Sequence, residues 1–138
     1  MKTSIKQVAK LMKKLDYCIF TTVTARGALA SRPMSNNRQV DFDGDAYFFT
    51  WEDSRLVEDI REHSNQVHLG FNADDDIFIS VGGKAKVVTR KSVMTEHWTS
   101  DLDRWFEDGV DTEGVVMIHV AAKHVKVWAK GEETELSL

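Results

Sequence analysis

A single proline, a single cysteine and two tyrosines stand among 138 residues, and each scarcity narrows what the chain can be. Cys18 has no internal partner, so no disulfide framework exists and a reducing compartment is the default. No apolar run approaches the roughly 18 residues that a spanning helix needs. The opening "MKTSIKQVAKLMKKL" is rich in lysine but lacks the continuous apolar core of a secretory signal. Positive charge is also short, with 18 Lys and Arg against 22 Asp and Glu and a formal net charge of −4. That balance does not suit a general nucleic-acid binder, which is usually basic. The expectation is a soluble cytoplasmic protein with no nucleic-acid and no membrane partner.

Several kinds of chemistry are missing too. His63, His68, His97, His119 and His124 are scattered, and none belongs to an HExxH or Cys/His ligand pattern. In strand-like sequence the five-residue spacing of His119 and His124 puts them on opposite faces. No metal is expected. No GxSxG elbow is present, and Cys18 lies inside an apolar strand, where an inert thiol is the usual outcome. Gly82–Gly83 is not followed by the Lys-Ser/Thr of a phosphate loop. Hydrolase and nucleotide-triphosphatase functions fall away.

What is present is an ordinary globular composition, 42% hydrophobic and 29% charged. Without linker, repeat or low-complexity segment, residues 1–138 read as one domain. Ile5, Val8, Leu11, Met12 and Leu15 mark a helix over 4–15, capped by Thr3 or Ser4, with Lys2, Lys6, Lys10, Lys13 and Lys14 on its other side. Such a basic amphipathic helix packs on a core or lies on a membrane surface. "YCIFTTVTA" (17–25) reads as a strand, "RG" as a hairpin turn and "ALASRPMSNNRQV" as the return strand. "DFDGD" is a turn signal and "AYFFTW" a third strand. "DSRLVEDIREHS" (53–64) opens with cap residues and reads as a helix. Val67, Leu69 and Phe71 alternate in a fourth strand. Residues 76–89 form a fifth, bent where Gly82–Gly83 suggests a bulge. Residues 90–98 and 101–106 read as helical, and 114–130 as one or two final strands. Some six short strands with a few helices predict a mainly β fold, a β-barrel with helical decoration.

Two residues stand out against that background. In the last strand Val125, Val127 and Ala129 share one face, while His124, Lys126 and Trp128 share the other. An indole on the wet side either covers a barrel end or a subunit contact, or stacks on a planar ligand. Arg32 lies between Ser31 and Pro33. It is a surface ion-pair partner of little energetic weight or a ligand-binding cation, since Pro33 confines the segment to an edge or irregular stretch with free groups. Thr50, Ser54 and Arg55 meet at the start of the predicted helix, where unpaired amides suit a phosphate. Two arginines, several hydroxyls and a wet Trp together describe a phosphorylated aromatic ligand.

"ARGALASRPM", "YFFTWEDSRLVEDIREHSNQVHLGF", "ISVGGKAKVV", "HW", "RWFEDGVD" and "HVKVW" resemble, in this order, the pyridoxamine 5′-phosphate oxidase-like split barrels, in their general stress protein branch. The resemblance runs from about residue 3 to 129. It implies an FMN-binding split barrel, six-stranded, antiparallel and of Greek-key type, assembled as a homodimer with FMN, alternatively FAD, at the subunit interface. By motif position Arg32 would approach the flavin phosphate, Met34 and Ser35 would lie along the flavin, and Phe49 and Thr50 would border the ring and ribityl chain. Ser54 and Arg55 would clamp the phosphate. Trp128 would approach the isoalloxazine, with Trp105 and Phe106 nearby, one subunit or the other supplying them. Ser31 and Leu56 complete the cofactor-binding set. Where the oxidases proper carry Lys in these motifs, this chain has Leu56 and Asn37, and only "AKGEETELSL" follows Trp128. The resemblance therefore implies a stress-associated flavin-dependent oxidoreductase that is not a true pyridoxamine 5′-phosphate oxidase, or else a non-catalytic flavin carrier or sensor. The residues name no catalytic acid or base.

Overall fold

The computed structural model of the chain describes residues 4–36, 42–73 and 76–138. Asn37, where the oxidases' motif has Lys, lies outside the described residues. Seven antiparallel strands form one sheet: β1 (Tyr17–Val23), β2 (Leu29–Ser35), β3 (Asp45–Trp51), β4 (Gln66–Ala73), β5 (Ile77–Val88), β6 (Val115–Ala129) and β7 (Glu132–Ser137). The sheet order is β2-β1-β4-β5-β6-β3, with β7 paired to β6 beside this path. The sheet curls on itself, and Phe20 of β1 meets Phe48 of β3 edge-on at 5.1 Å across the interior. Strands β2 and β3 end the path and do not pair, so the barrel is open between them.

Local chemistry explains most elements. Helix α1 (Ile5–Met12) is closed at its start by a capping box in which Ser4 and Gln7 bond reciprocally. Its Val8 and Met12 are buried in the core while Lys6, Lys10, Lys13 and Lys14 are exposed. The packed reading of that helix therefore holds. Strands β1 and β4 alternate as their sequences predict, with Cys18, Phe20 and Thr22, then Val67, Leu69 and Phe71, turned inward. Strand β2 covers Leu29–Ser35 of the predicted 28–40, of which 37–40 lie outside the described residues, and the Asn36 amide donates to the carbonyls of Met12 and Leu15 after α1.

Four features depart from the sequence reading, and the last two have clear physical causes. The predicted 53–64 helix is α2 (Arg55–Glu58) followed by a π-helical turn, Asp59–His63. The predicted second late helix, 101–106, is the 3-10 turn Ser100–Arg104, whereas α3 (Lys91–His97) matches its prediction. The strand count is seven rather than six. Lys130 and Gly131 both take positive φ, 51° and 77°, which is the geometry of a tight type I′ hairpin turn, so the chain folds back as β7. Finally, the bulge foreseen at Gly82–Gly83 is present, and it moves a histidine. Gly82 faces His124 and Gly83 faces Ala122, which leaves Lys123 as the extra residue of β6. A Cβ on Gly83 would stand 2.4 Å from the Ala121 carbonyl oxygen, so the close approach needs glycine. The extra residue inverts the alternation, and the core residues shift from Val116, Ile118, Val120 and Ala122 to Val125 and Val127. His119 and His124 consequently share one face of the sheet, not opposite faces. Past the bulge, His124, Lys126 and Trp128 do lie opposite buried Val125 and Val127.

Candidate functional site

The opening between β2 and β3 is a cleft of about 250 Å³. One wall is Pro33, Met34 and Ser35 with Tyr17 beside them; the other runs along β3 from Tyr47 to Trp51, and Leu102, Trp105 and Phe106 close it from the 3-10 region. That region has its own small core, in which Phe49, Met94, Leu102, Phe106, Val115 and Met117 pack on the outer side of β3 and β6. Aromatic contacts tie it to the cleft: Phe49 to Trp98 at 4.8 Å, Trp98 to Phe106 at 5.5 Å and Phe106 to Trp51 at 5.0 Å. Trp98 is itself fixed by its indole N–H donating to Asp103 at 2.9 Å, and Arg104 lies over the Trp105 ring at 4.9 Å. Among the described lining residues none is charged. The polar side-chain groups are the hydroxyls of Ser35, Thr50, Tyr17 and Tyr47 and the indole N–H groups of Trp51 and Trp105. Tyr47 stacks on His97 at 3.7 Å and on His119 at 5.0 Å. His119 bonds Asp45 at 2.8 Å. Burial, and then the carboxylates of Asp45, Asp43 and Glu96, raise the Tyr47 phenol above its ordinary value, so it stands as a proton-bearing donor.

Six of the twelve residues expected to hold a ligand meet in this cleft: Met34, Ser35, Phe49, Thr50, Trp105 and Phe106. Arg32 sits two residues before Met34 and turns inward. Its Nη1 donates to Thr22 Oγ1 at 2.8 Å and to the carbonyls of Phe20 and Ala30 at 3.3 and 3.2 Å. Its Nη2 lies 3.7 Å from the Asp59 carboxylate. Burial lowers the Arg32 pKa from its ordinary value, and Asp59 acts against that shift. Arg32 is thus neither a free surface cation nor an exposed ion pair; it is anchored to the helix that follows Ser54.

Ser54 caps that helix by accepting from the Val57 amide at 3.3 Å, and Arg55 beside it is exposed. The Asp59 amide donates to the Arg55 carbonyl, so the carboxylate that faces Arg32 sits one helical turn after the Ser54–Arg55 start, on the segment that follows β3. Ser31 points to the outer face and shares a 2.7 Å hydrogen bond with Thr21. Leu56 is 3% exposed and belongs to the main core. A side chain buried there does not line the cleft.

Trp128 is elsewhere. It lies on the outer face of the sheet in a shallow groove of about 500 Å³, with Ile19, His68, Gly70, Phe78 and Ser80. The face is unusually apolar for a surface. Tyr17, Ile19, Phe78 and Trp128 are between 38% and 53% exposed. His68 bonds Ser80 there at 2.6 Å, and burial lowers its pKa. Tyr17 lines both this groove and the cleft, so the two are continuous.

The sequence reading missed Tyr17, Pro33, Tyr47, Phe48, Trp51 and Leu102 as cleft residues, and Thr22 and Asp59 behind Arg32. For Asp59 a signal existed: it falls three residues after Leu56 and just before Ile60, on the apolar side of the helix pattern, where a carboxylate needs a buried partner.

Comparison with known proteins is consistent along the whole chain. A family model described as pyridoxamine 5′-phosphate oxidase like matches residues 3–137. The chain is 30% identical to General stress protein 26 of Bacillus subtilis (strain 168) over 95 residues, 67% of each chain. Its fold superposes with a TM-score of 0.84 on a Clostridium acetobutylicum protein related to general stress protein 26, at 14% identity, covering 97% of this chain and 94% of that one. It also superposes with a TM-score of 0.76 on the general stress FMN/FAD binding protein from Xanthomonas citri, at 21% identity and covering 96% and 92%.

Proposed function

Because the chain belongs to the pyridoxamine 5′-phosphate oxidase-like family, we propose that it binds a flavin, FMN before FAD, in the cleft between β2 and β3, and that a second copy completes the site. The observation that carries this reading is the composition of the cleft. Its walls are aromatic and apolar, its polar side-chain groups are hydroxyls and indole N–H groups, and two cations stand just outside the lining, Arg32 directly before Pro33 on one wall and Arg55 after the end of β3 on the other. A planar ring with a polyol chain and a terminal phosphate asks for that distribution. Met34, Phe49 and Phe106 offer the ring apolar contact, and Ser35 and Thr50 offer hydroxyls to its polar edge and ribityl chain. Arg32, Ser54 and Arg55 meet the phosphate, as cations and capped helix starts do elsewhere. The flavin FMN/FAD of the Xanthomonas citri relative supports the same ligand class.

Size and surface support the dimer. A cleft of about 250 Å³ falls below the roughly 300–1,000 Å³ of pockets that enclose a ligand of this kind, so one chain offers part of a site. The adjoining apolar face, with Tyr17 shared between the two, is the surface a second copy covers. Trp128 and Trp105 then approach the flavin from different subunits. Ser31 supports the edge strand through Thr21.

Bound flavin supplies hydride or electron transfer. This chain's residues bind, orient and exclude water. The uncharged lining offers no carboxylate, imidazole or amine to the ring, which also favours a second reading, a flavin carrier or sensor. Three measurements test the proposal: the visible spectrum of the purified protein with identification of the released chromophore, sedimentation, and bleaching by reduced nicotinamide. A coloured dimer that bleaches is an oxidoreductase, a coloured dimer that does not is a carrier, and a colourless protein that ignores added FMN refutes both.

A further inference from the structure

Thr22 and Asp59, 0% and 5% exposed, are the buried polar side chains among the described residues, and they are bonded to each other at 2.7 Å. Thr22 lies on β1, and Asp59 opens the π-helical turn that follows α2. Turns of this type are rare and frequent at functional sites. Both residues converge on Arg32 of the edge strand β2, Thr22 Oγ1 at 2.8 Å from Nη1 and Asp59 Oδ2 at 3.7 Å from Nη2. A buried ion pair of this sort gains little net stability over apolar side chains of the same volume, so stability alone does not account for it.

The donor count suggests what does. A guanidinium has five N–H donors in a rigid plane. The Nη1 hydrogens of Arg32 are taken by Thr22 and the carbonyls of Phe20 and Ala30. Nη2 is drawn toward Asp59 on one side. Nε–H and the remaining Nη2 hydrogen form the opposite edge, and that edge is a fork suited to two phosphate oxygens. Without the anchor a partly buried arginine on an edge strand samples more rotamers, and ordering it on a ligand costs affinity.

We infer that Asp59, acting with Thr22, is a positioning residue that holds the Arg32 guanidinium so that its free edge faces the phosphate of the bound flavin. The inference rests on the flavin reading above. It concerns the phosphate alone, so the discriminating quantity is the ratio of FMN to riboflavin affinity, since riboflavin has the same ring and ribityl chain without the phosphate. A role in the fold alone would move both ligands together.

The test uses the full chain and titrates FMN and riboflavin into the unsubstituted protein, Asp59→Asn and Thr22→Val, with circular dichroism to verify folding. Asp59→Asn keeps the size and a hydrogen-bond acceptor for Thr22 but removes the charge. It should raise the FMN Kd about 5- to 20-fold, a fraction of a charge-assisted hydrogen bond, and change that of riboflavin by less than about twofold. Thr22→Val, nearly isosteric in a strand, should shift the ratio in the same direction by less, and it carries the test if Asp59→Asn does not fold. Equal weakening of both ligands would make Asp59 a fold residue and overturn the inference. Tighter FMN binding would overturn it as well, because Asp59 would then merely compete with the phosphate for Arg32. A protein that binds neither flavin refutes the flavin reading and this inference with it. A protein that prefers FMN and keeps the whole preference after both substitutions refutes the inference alone.

Discussion

Ile19→Asp should split the proposed dimer and weaken flavin binding at the same time. Ile19 stands in the middle of the outer face, opposite Pro33 and Gly70 in the sheet register, and is 48% exposed. Fully burying an isoleucine side chain is worth about 1.5–3 kcal/mol, so covering the exposed half is worth about 0.7–1.5 kcal/mol. A two-fold interface is isologous and counts every residue twice, which brings the loss to about 1.5–3 kcal/mol per dimer. The carboxylates introduced on both sides add a desolvation penalty to that figure. At about 1.4 kcal/mol per factor of ten, the dimer Kd should rise at least about 10- to 150-fold. The half-exposed position means the monomer should stay folded, which near-ultraviolet circular dichroism checks. Sedimentation at micromolar concentration reads the association, and an FMN titration over the same range reads the coupling to the site. Lys14→Asp, in the exposed turn that follows α1, serves as the control. A monomeric parent protein, or an Ile19→Asp protein that dimerises unchanged, would refute the assignment of this face. An Ile19→Asp monomer that binds FMN normally would refute the shared site.

Arg32→Ala should raise the FMN Kd roughly 10- to 150-fold, the loss of one charge-assisted hydrogen bond, and leave riboflavin nearly unaffected, while Lys14→Ala changes either by less than about threefold. Pyridoxamine and pyridoxine 5′-phosphate should not be turned over at rates near 1 per second, a typical enzymatic scale, because the position after Ser54–Arg55 is a core leucine and not a cation; pyridoxal phosphate formation measured by absorbance checks this. Cys18 should resist alkylation in the native protein. Burial pushes its thiol up to about 12, so at pH 8 only about one part in ten thousand is thiolate. The rate should rise with pH toward that value and jump when denaturant exposes the residue, and fast labelling of the native protein at pH 8 would contradict the buried placement.

Much of this molecule is legible in the order of its residues. Period-two alternation placed β4 and the second half of β6 with their buried faces, because a strand with one face in a core must alternate whatever its neighbours are, and β-branched and aromatic content placed β1. The capping residues marked α1 and the start of α2, since an N-cap is satisfied by side chains within three positions. The paired glycines marked the bulge, and the succession of short motifs pointed to the family. What the sequence could not carry were relations between residues distant along the chain. That β2 and β3 end the sheet and face each other depends on how six strands pair in register, so the cleft and its Tyr47, Trp51 and Leu102 lining emerge only when the sheet closes. Arg32 read as a cation at an edge, and only the approach of the π-helical turn gave it a buried carboxylate 27 positions away. The parity of His119 and His124 turned on one extra residue, inserted because Gly83 lets two backbones come closer than any side chain would allow. Alternation, capping and turn chemistry act over a few bonds and are written locally; facing edges, bulge partners and buried charges are settled by the packing of segments that meet only in the folded chain.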